Sequence, residues 1–282
     1  MNDEIKDYIE ITEIKDKQIL LLDLLKQFHN ICEENGLIYN IFGGTFLGAV
    51  RHKGFIPWDD DIDVTMPRED YDKFIDLMNT KYSDKYDLFA YPKKNYIYPY
   101  AKLGMKGTVL YEDVVKPKYN KLALNMDIFP NDGYPDNEKV FDKYNDYEQK
   151  IILCSYNIPY SKNPIKALYK FLRKILAKCV GVEKYLTKQI KIISKNKIAE
   201  SELMICQAAG LGAKGKLETE KYFDRVLYDF ENIKVWGIKD YDIQLTRQYG
   251  DYMTLPPENK RECPHTYHLY ISKEIFDKYL KK

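Results

Sequence analysis

In the stretch GGTFLGAVRHKGFIPWDDDIDV, Gly43 to Val64, the aspartates Asp61 and Asp63 stand two positions apart. In an extended strand that spacing sends both carboxylates out of one face, while Ile62 and Val64 leave the other and enter a core. Side by side and unpaired, two carboxylates raise one another's pKa. A divalent cation such as Mg2+ or Mn2+ relieves them: Mg2+ takes oxygen ligands and commonly uses one or two carboxylates together with substrate phosphates. The same D-x-D also suits an exposed acidic edge neutralised by Arg51, His52 and Lys53. The neighbourhood favours the metal. A strand-like run, Leu37 to Phe42, enters Gly43-Gly44, a short helix follows over Thr45 to His52, and the acidic strand, Asp61 to Met66, comes next. Glycines at a strand-to-helix turn let a phosphate approach free backbone N–H groups at the helix N-terminus, where Thr45 can cap the helix and offer a hydroxyl. The D-x-D-x-D-G pattern of a calcium loop is absent. A third acid, Asp127 in NMDIFP, lies in an apolar strand ahead of a turn. Alone it would cap the turn or pair with a lysine; beside Asp61 and Asp63 it reads as the third ligand or a base.

Positioning these groups takes a mixed set of elements. Ile14, Leu21 or Leu22, Leu25, Phe28 and Ile31 or Cys32 recur at helical spacing, which predicts a helix over Ile11 to Glu34 with Gly36 as its C-terminal cap. Pro67 should open another, with Glu69, Asp70 and Asp72 near its positive end and Tyr71, Phe74, Ile75 and Met78 inward. YDLFAY, YPYAKLGM, TVLYED and LALNMDIF read as strands, Asn131 to Pro135 as a turn, and Asn137 to about Lys197 as helical, with a mixed final eighty residues. The expected class is α+β, a mixed sheet flanked by helices with a largely helical second half. The expected division is a catalytic core over 1–135, then 136–282 as a helical region and a C-terminal segment completing the site in one continuous unit.

Composition narrows the function. At 282 residues and net charge +1 the chain carries no basic excess for nucleic acid, and 45% hydrophobic with 31% charged residues is ordinary for a globular protein. The 26 tyrosines suit wet clefts and interfaces, or reflect codon usage. Five scattered cysteines, Cys32, Cys154, Cys179, Cys206 and Cys263, lack C-x-x-C spacing and read as reduced thiols. The charged N-terminus resembles no signal peptide, and no apolar run reaches membrane-spanning length, so a cytoplasmic location is expected.

GGTFLGAVRHKGFIPWDDDIDVTMPREDYDKF closely resembles the signature of the LicD family, and MDIFPNDGYP and YGDYMTLPPENKR match two further blocks of it. The resemblance runs from about Thr12 to His265. It implies a nucleotidyltransferase-type fold whose Gly-Gly turn and D-x-D strand hold phosphates and metal, with Asp61, Asp63 and Asp127 as metal-binding and catalytic carboxylates. It also implies transfer of phosphocholine, or a related phospho-alcohol, from CDP-choline or another CDP-alcohol to a hydroxyl of a cell-surface glycan such as teichoic acid, lipopolysaccharide or a capsule precursor. Under that reading Gly43, Gly44 and Thr45 meet phosphate, Arg51, His52 and Lys53 add positive charge, and Asp127 shares the metal or takes the acceptor's proton. Tyr249 and Tyr252 would close over a base or choline head group, and His265 would contact phosphate or exchange a proton. For each of these a plain structural role competes: ion pairs from Arg51, His52 and Lys53 to Asp59 and Asp60, a packed C-terminal turn around Tyr249 and Tyr252, Trp58 as a core anchor. A zinc site at Cys263, His265 and His268 lacks a partner pair. A nucleotidyltransferase acting on a small molecule would use the same parts, and a glycan-binding scaffold would not need the three acids.

One segment is left over. Positions 161–197 hold eleven Lys or Arg and a single acid, Glu183, with Ile165, Leu168, Leu172, Ile175, Leu176 and Cys179 at helical spacing. Such a helix either packs inward and wets its basic face, or lies on anionic lipid at the inner face of the cell membrane, next to a lipid-linked acceptor.

Overall fold

The computed structural model describes residues 5–159, 162–263 and 265–281; the first four residues of the charged N-terminus, Ser161 and Pro264 lie outside them. In chain order the elements are β1 (Ile9–Ile11), α1 (Ile14–Asn35), β2 (Asn40–Ile41), α2 (Gly43–His52), β3 (Asp63–Pro67), α3 (Arg68–Asn79), β4 (Tyr86–Phe89), β5 (Ala101–Met105), β6 (Thr108–Glu112), β7 (Lys121–Leu122) and β8 (Asn125–Gly133). There follow α4 (Lys139–Ser155), α5 (Pro164–Val180), α6 (Val182–Ile193), β9 (Leu203–Ile205), β10 (Lys216–Glu218), α7 (Thr219–Phe223), β11 (Arg225–Phe230), β12 (Ile233–Ile238), α8 (Tyr241–Tyr249), β13 (Tyr267–Ile271) and α9 (Lys273–Tyr279). The class is α+β.

The main sheet is mixed and is built around β8. That strand runs parallel to β3 and antiparallel to β5, with β2 beyond β3 and β4 beyond β5; its far end pairs with β9, which carries β10. β8 is buried on both sides, and its apolar residues Met126 and Ile128 are fully enclosed, as expected for a central strand with covered faces. A second sheet orders β1, β13, β6 and β7, so a strand from the end of the chain lies between two from its first half.

The helix α1 forms with the inward face its periodicity predicts, but it starts at Ile14 rather than Ile11, which ends β1. Leu20, Leu21, Leu24, Leu25, Phe28 and Cys32 are completely buried, each large one contributing about 1.5–3 kcal/mol relative to exposure. Gly36 ends it in the left-handed region at φ 62°, its N–H returning to the carbonyls of Cys32 and Glu33.

Four other boundaries differ from expectation. The run Leu37 to Phe42 yields only the two-residue β2, and α2 starts at Gly43 rather than Thr45, with Phe42 in the cap position. β3 starts at Asp63, so Asp61 precedes the strand and does not share its face by alternation. Asn131 to Gly133 continue β8 instead of turning, because Asp132 is satisfied by a two-pronged pair from Arg68 at 2.8 and 2.7 Å and the segment pairs with β9.

The basic segment is helical, but inverted relative to a core-packed helix. On α5 the apolar side chains face solvent, with Ile165 78%, Leu168 60% and Leu176 68% exposed, while Ala177 and the half-covered Lys170, Arg173 and Lys174 lie on the side toward the body. Among the described residues no helix is long and apolar enough to cross a membrane.

Candidate active site

β3 and β8 lie side by side in parallel register with Asp63 opposite Asp127 and Thr65 opposite Phe129. Their alternation puts Asp63 and Asp127 in one row on one face, with Ile62, Val64, Met66, Met126 and Ile128 behind them in the core. Thr45, buried in α2, accepts a hydrogen bond from the Asp63 N–H at 2.8 Å. Its hydroxyl therefore locks the strand to the helix and neither caps α2 nor faces the cleft.

The turn before α2 is shaped around these acids. Gly43 has φ 54°, and a Cβ on it would sit 2.8 Å from Asp63 Oδ2; a Cβ on Gly44 would sit 2.5 Å from Asp59 Oδ2. The two glycines are thus the only fit for the space beside the carboxylates, and the positive end of α2 abuts them.

The loop from Gly54 to Ile62 brings in the rest. Gln18 of α1 donates to the carbonyls of Ile56 and Asp59 at 3.3 and 2.8 Å, and the Phe55 N–H donates to Glu231 at 3.0 Å. Asp60 is the buried hub: it accepts from Lys17 at 3.3 Å and Tyr267 at 2.7 Å, and lies 2.9 Å from His265 Nδ1. Burial works to raise its carboxyl, but hydrogen bonds from His265, Cys263 and Tyr267 and the Lys17 charge outweigh that and hold it below the usual carboxylate range. His265 Nε2 then reaches to 3.5 Å from Asp61.

Asp59, Asp61, Asp63 and Asp127 consequently converge. Burial raises the carboxyls of Asp59, Asp61 and Asp63, and mutual repulsion adds to it: Asp61 acts on Asp59, Asp127 on Asp61, and all three neighbours on Asp63. The cation that meets them is Lys102 of β5, buried, 2.6 Å from Asp127 and 3.2 Å from Asn125 Oδ1. One lysine does not balance four acids. Carboxylate oxygens beside a glycine turn that leaves no room for a Cβ are donors of the type a divalent ion takes; among the described residues the group whose ligand atoms already lie within 4.8 Å of one another is Asp60, Cys263 and His265.

The other expected residues are placed less centrally. Arg51, His52 and Lys53 sit at the C-terminal end of α2, roughly 12 Å along the helix from Gly43-Gly44 at 1.5 Å per residue. Arg51 donates to the Tyr252 carbonyl at 2.6 Å and to His52 at 2.9 Å. Ion pairs from these three to Asp59 and Asp60 are not formed among the described residues, since Asp60 is taken by Lys17, His265 and Tyr267. Tyr252 is a core residue whose hydroxyl donates to Asp242 at 2.7 Å. Tyr249, half exposed at the end of α8, is near enough to the acids that burial and the charges of Asp63, Asp59 and Asp61 raise its hydroxyl. Trp58 packs on the core. Cys263 and His265 gather with Asp60 rather than with His268, which instead faces Glu10 at 3.0 Å and Asp113 at 3.6 Å. All five cysteines are free.

Reading the sequence missed Lys102, Asp59 and the hub role of Asp60. Lys102 carried a signal, a lone lysine inside the apolar strand AKLGM; Asp60 carried none, because its partners are 43 and about 205 positions away.

A mixed sheet with acids in register on neighbouring strands and a glycine turn against them is the arrangement of a nucleotidyltransferase-type domain. A family model described as the LicD/FKTN/FKRP nucleotidyltransferase domain matches residues 36–155, which contain Asp59, Asp61, Asp63, Lys102 and Asp127. The lipopolysaccharide cholinephosphotransferase LicD of Haemophilus influenzae is 30% identical over 275 residues, covering 92% of this chain and 98% of the relative. An uncharacterised protein of Rickettsia typhi is 32% identical over 43% of this chain and 37% of its own length. The chain belongs to the LicD family.

Proposed function

We propose that this LicD-family enzyme transfers phosphocholine from CDP-choline, or the phospho-alcohol of a related CDP-alcohol, to a hydroxyl of a cell-surface glycan, with Mg2+ or Mn2+ bound to Asp61, Asp63 and Asp127. The observation that carries it is the register of Asp63 opposite Asp127 beside a glycine turn that fits against Asp63 and Asp59, in a chain similar along its length to a cholinephosphotransferase. Bound there, the ion would neutralise the diphosphate and the departing CMP. The protein's own groups do the rest. Lys102 supplies a fixed positive charge at the phosphate, preorganised by Asp127 and Asn125. Asp127, bonded to Lys102, would serve as ligand, and His265, its Nδ1 held by Asp60 and its Nε2 near Asp61, would take the acceptor's proton through Nε2.

The test is incubation with CDP-choline, Mg2+ and cell-envelope glycans such as lipopolysaccharide, teichoic acid or capsule precursors, with the product identified by mass. A glycan heavier by one phosphocholine, lost in EDTA and restored by Mn2+, is expected. Full transfer in EDTA would overturn the metal role, and transfer of a whole nucleotide would overturn the reaction.

The inverted face of α5 supports a proposed site of work at an anionic membrane. Its exposed Leu168, Leu172 and Leu176 suit the acyl boundary and its flanking Lys166 and Lys178 the headgroups, each basic residue near the surface adding about 1 kcal/mol. Co-sedimentation should show binding to phosphatidylglycerol vesicles but not to neutral phosphatidylcholine vesicles, weakened by salt and by Leu168→Ser with Leu172→Ser. Equal behaviour with both lipids would overturn it.

A further inference from the structure

Next to the carboxylate row lies a groove that none of the roles above uses. Phe129 stands two residues beyond Asp127 on the same face of β8, roughly 7 Å along the strand at about 3.3 Å per residue. Tyr100 packs at a tilt against Phe129 with ring centroids 4.4 Å apart, and Tyr98 against Tyr100 at 5.4 Å. Tyr156, at the end of α4, forms another wall of the same groove.

Two polar groups there lack the partners they need. Glu148 of α4 lines the groove, half buried, and makes no ion pair or hydrogen bond among the described residues; burial raises its carboxyl, with no cation near to oppose the shift. Gln189 of α6, 1% exposed, also lines it, and neither its amide nitrogen nor its oxygen finds a partner among the described residues. Desolvated polar groups of this kind are costly unless a ligand or water satisfies them.

Tyrosine and phenylalanine faces beside an unpaired carboxylate, opening onto a groove, form a receptor for a soft cation that cannot donate hydrogen bonds. A lysine already demonstrates the attraction: Lys102 Nζ lies 5.0 Å from the Tyr98 ring centre and 5.5 Å from that of Tyr100. Lys102 lines the carboxylate cleft, not the groove. We propose that this groove binds the quaternary ammonium of the donor, with Tyr98, Tyr100, Phe129 and Tyr156 around the methyl groups and Glu148 balancing the charge. The inference rests on the phosphocholine reading above. It places the phosphate at Lys102 and Asp127 and the ammonium one strand step further, a separation that the two-carbon spacer of choline suits. It also assigns the head group to a side of the site away from Tyr249 and Tyr252.

Titration of CDP-choline and of CDP into the full-length protein separates the head group from the nucleotide. The protein as it stands should prefer CDP-choline, and Glu148→Gln and Tyr156→Leu should each cut CDP-choline affinity about tenfold with CDP affinity unchanged. Tyr156→Phe, which keeps the ring, should retain the preference, and CDP binding itself reports that each variant is folded. Variants that keep the full preference while the unaltered enzyme transfers phosphocholine would overturn the groove and leave the function standing. No preference and no transfer in the unaltered enzyme would overturn both.

Discussion

An Asp63→Asn enzyme should fold, melt no lower than the original, and lose transfer by about a thousandfold or more, equivalent to about 4 kcal/mol of transition-state stabilisation. Asp63 occupies the centre of the acidic row: burial first, and then its neighbours Asp61, Asp127 and Asp59, push its carboxyl up, with Lys102 opposing them. Asparagine keeps the shape beside Gly43 and the N–H bond to Thr45, and it removes one of four crowded charges. Relief of like-charge repulsion therefore leaves stability equal or better, while an ion held as proposed would lose a ligand. Initial rates with CDP-choline, thermal unfolding and Mn2+ titration read the three quantities separately. A rate within tenfold of the original would remove Asp63 from the machinery.

Asp60→Asn should show the opposite signature, with stability lost first. Asp60 is completely desolvated in its side chain, and Lys17, His265 and Tyr267 all depend on it. Breaking a buried ionic network from one side costs about 3–5 kcal/mol, because the remaining charge stays buried and unpaired. For a chain of this size the melting temperature should drop by roughly 10 °C. Turnover should fall as well, since the His265 ring loses the partner that orients it, and Lys17→Met with Asp60→Asn should recover part of the stability but not the rate. An unchanged melting temperature would show that Asp60 is not the hub its contacts indicate. Asp60→Asn and Asp63→Asn, three positions apart in sequence, would thus separate a scaffold acid from a cleft acid.

What could be read from the residues beforehand follows the range over which each feature is decided. The helix α1, its glycine cap and the inward face of α3 are local periodicities, and they form where the pattern puts them. The face shared by Asp63 and Asp127 also follows from alternation within strands, although the register that sets them opposite one another comes only from pairing. Asp61 reaches the cleft by another route, from a loop pinned by Gln18, and strand alternation alone could not show that. Asn131 to Gly133 have turn chemistry but become strand, because Arg68 and β9 supply partners that local propensity ignores. Tyr252 and Tyr249 are equivalent in the motif, and only packing sends one inward and leaves the other half exposed. The outward apolar face of α5 is the plainest case: composition showed an amphipathic helix, and which face met the body depended on what α4 and α6 left uncovered.

The position of β13 between β1 and β6 has a consequence for how the enzyme comes into being. His265 and Tyr267 enter the site with a strand that ends at Ile271, after every carboxylate of the cleft has been made. A nascent chain emerging from the ribosome can assemble α1, β3 and β8, yet Asp60 then lacks two of its partners and β1 has no strand to pair with. Only release of the last segment closes the second sheet and fixes the imidazole. A chain broken off before β13 would therefore hold acids in the cleft without the histidine that faces Asp61.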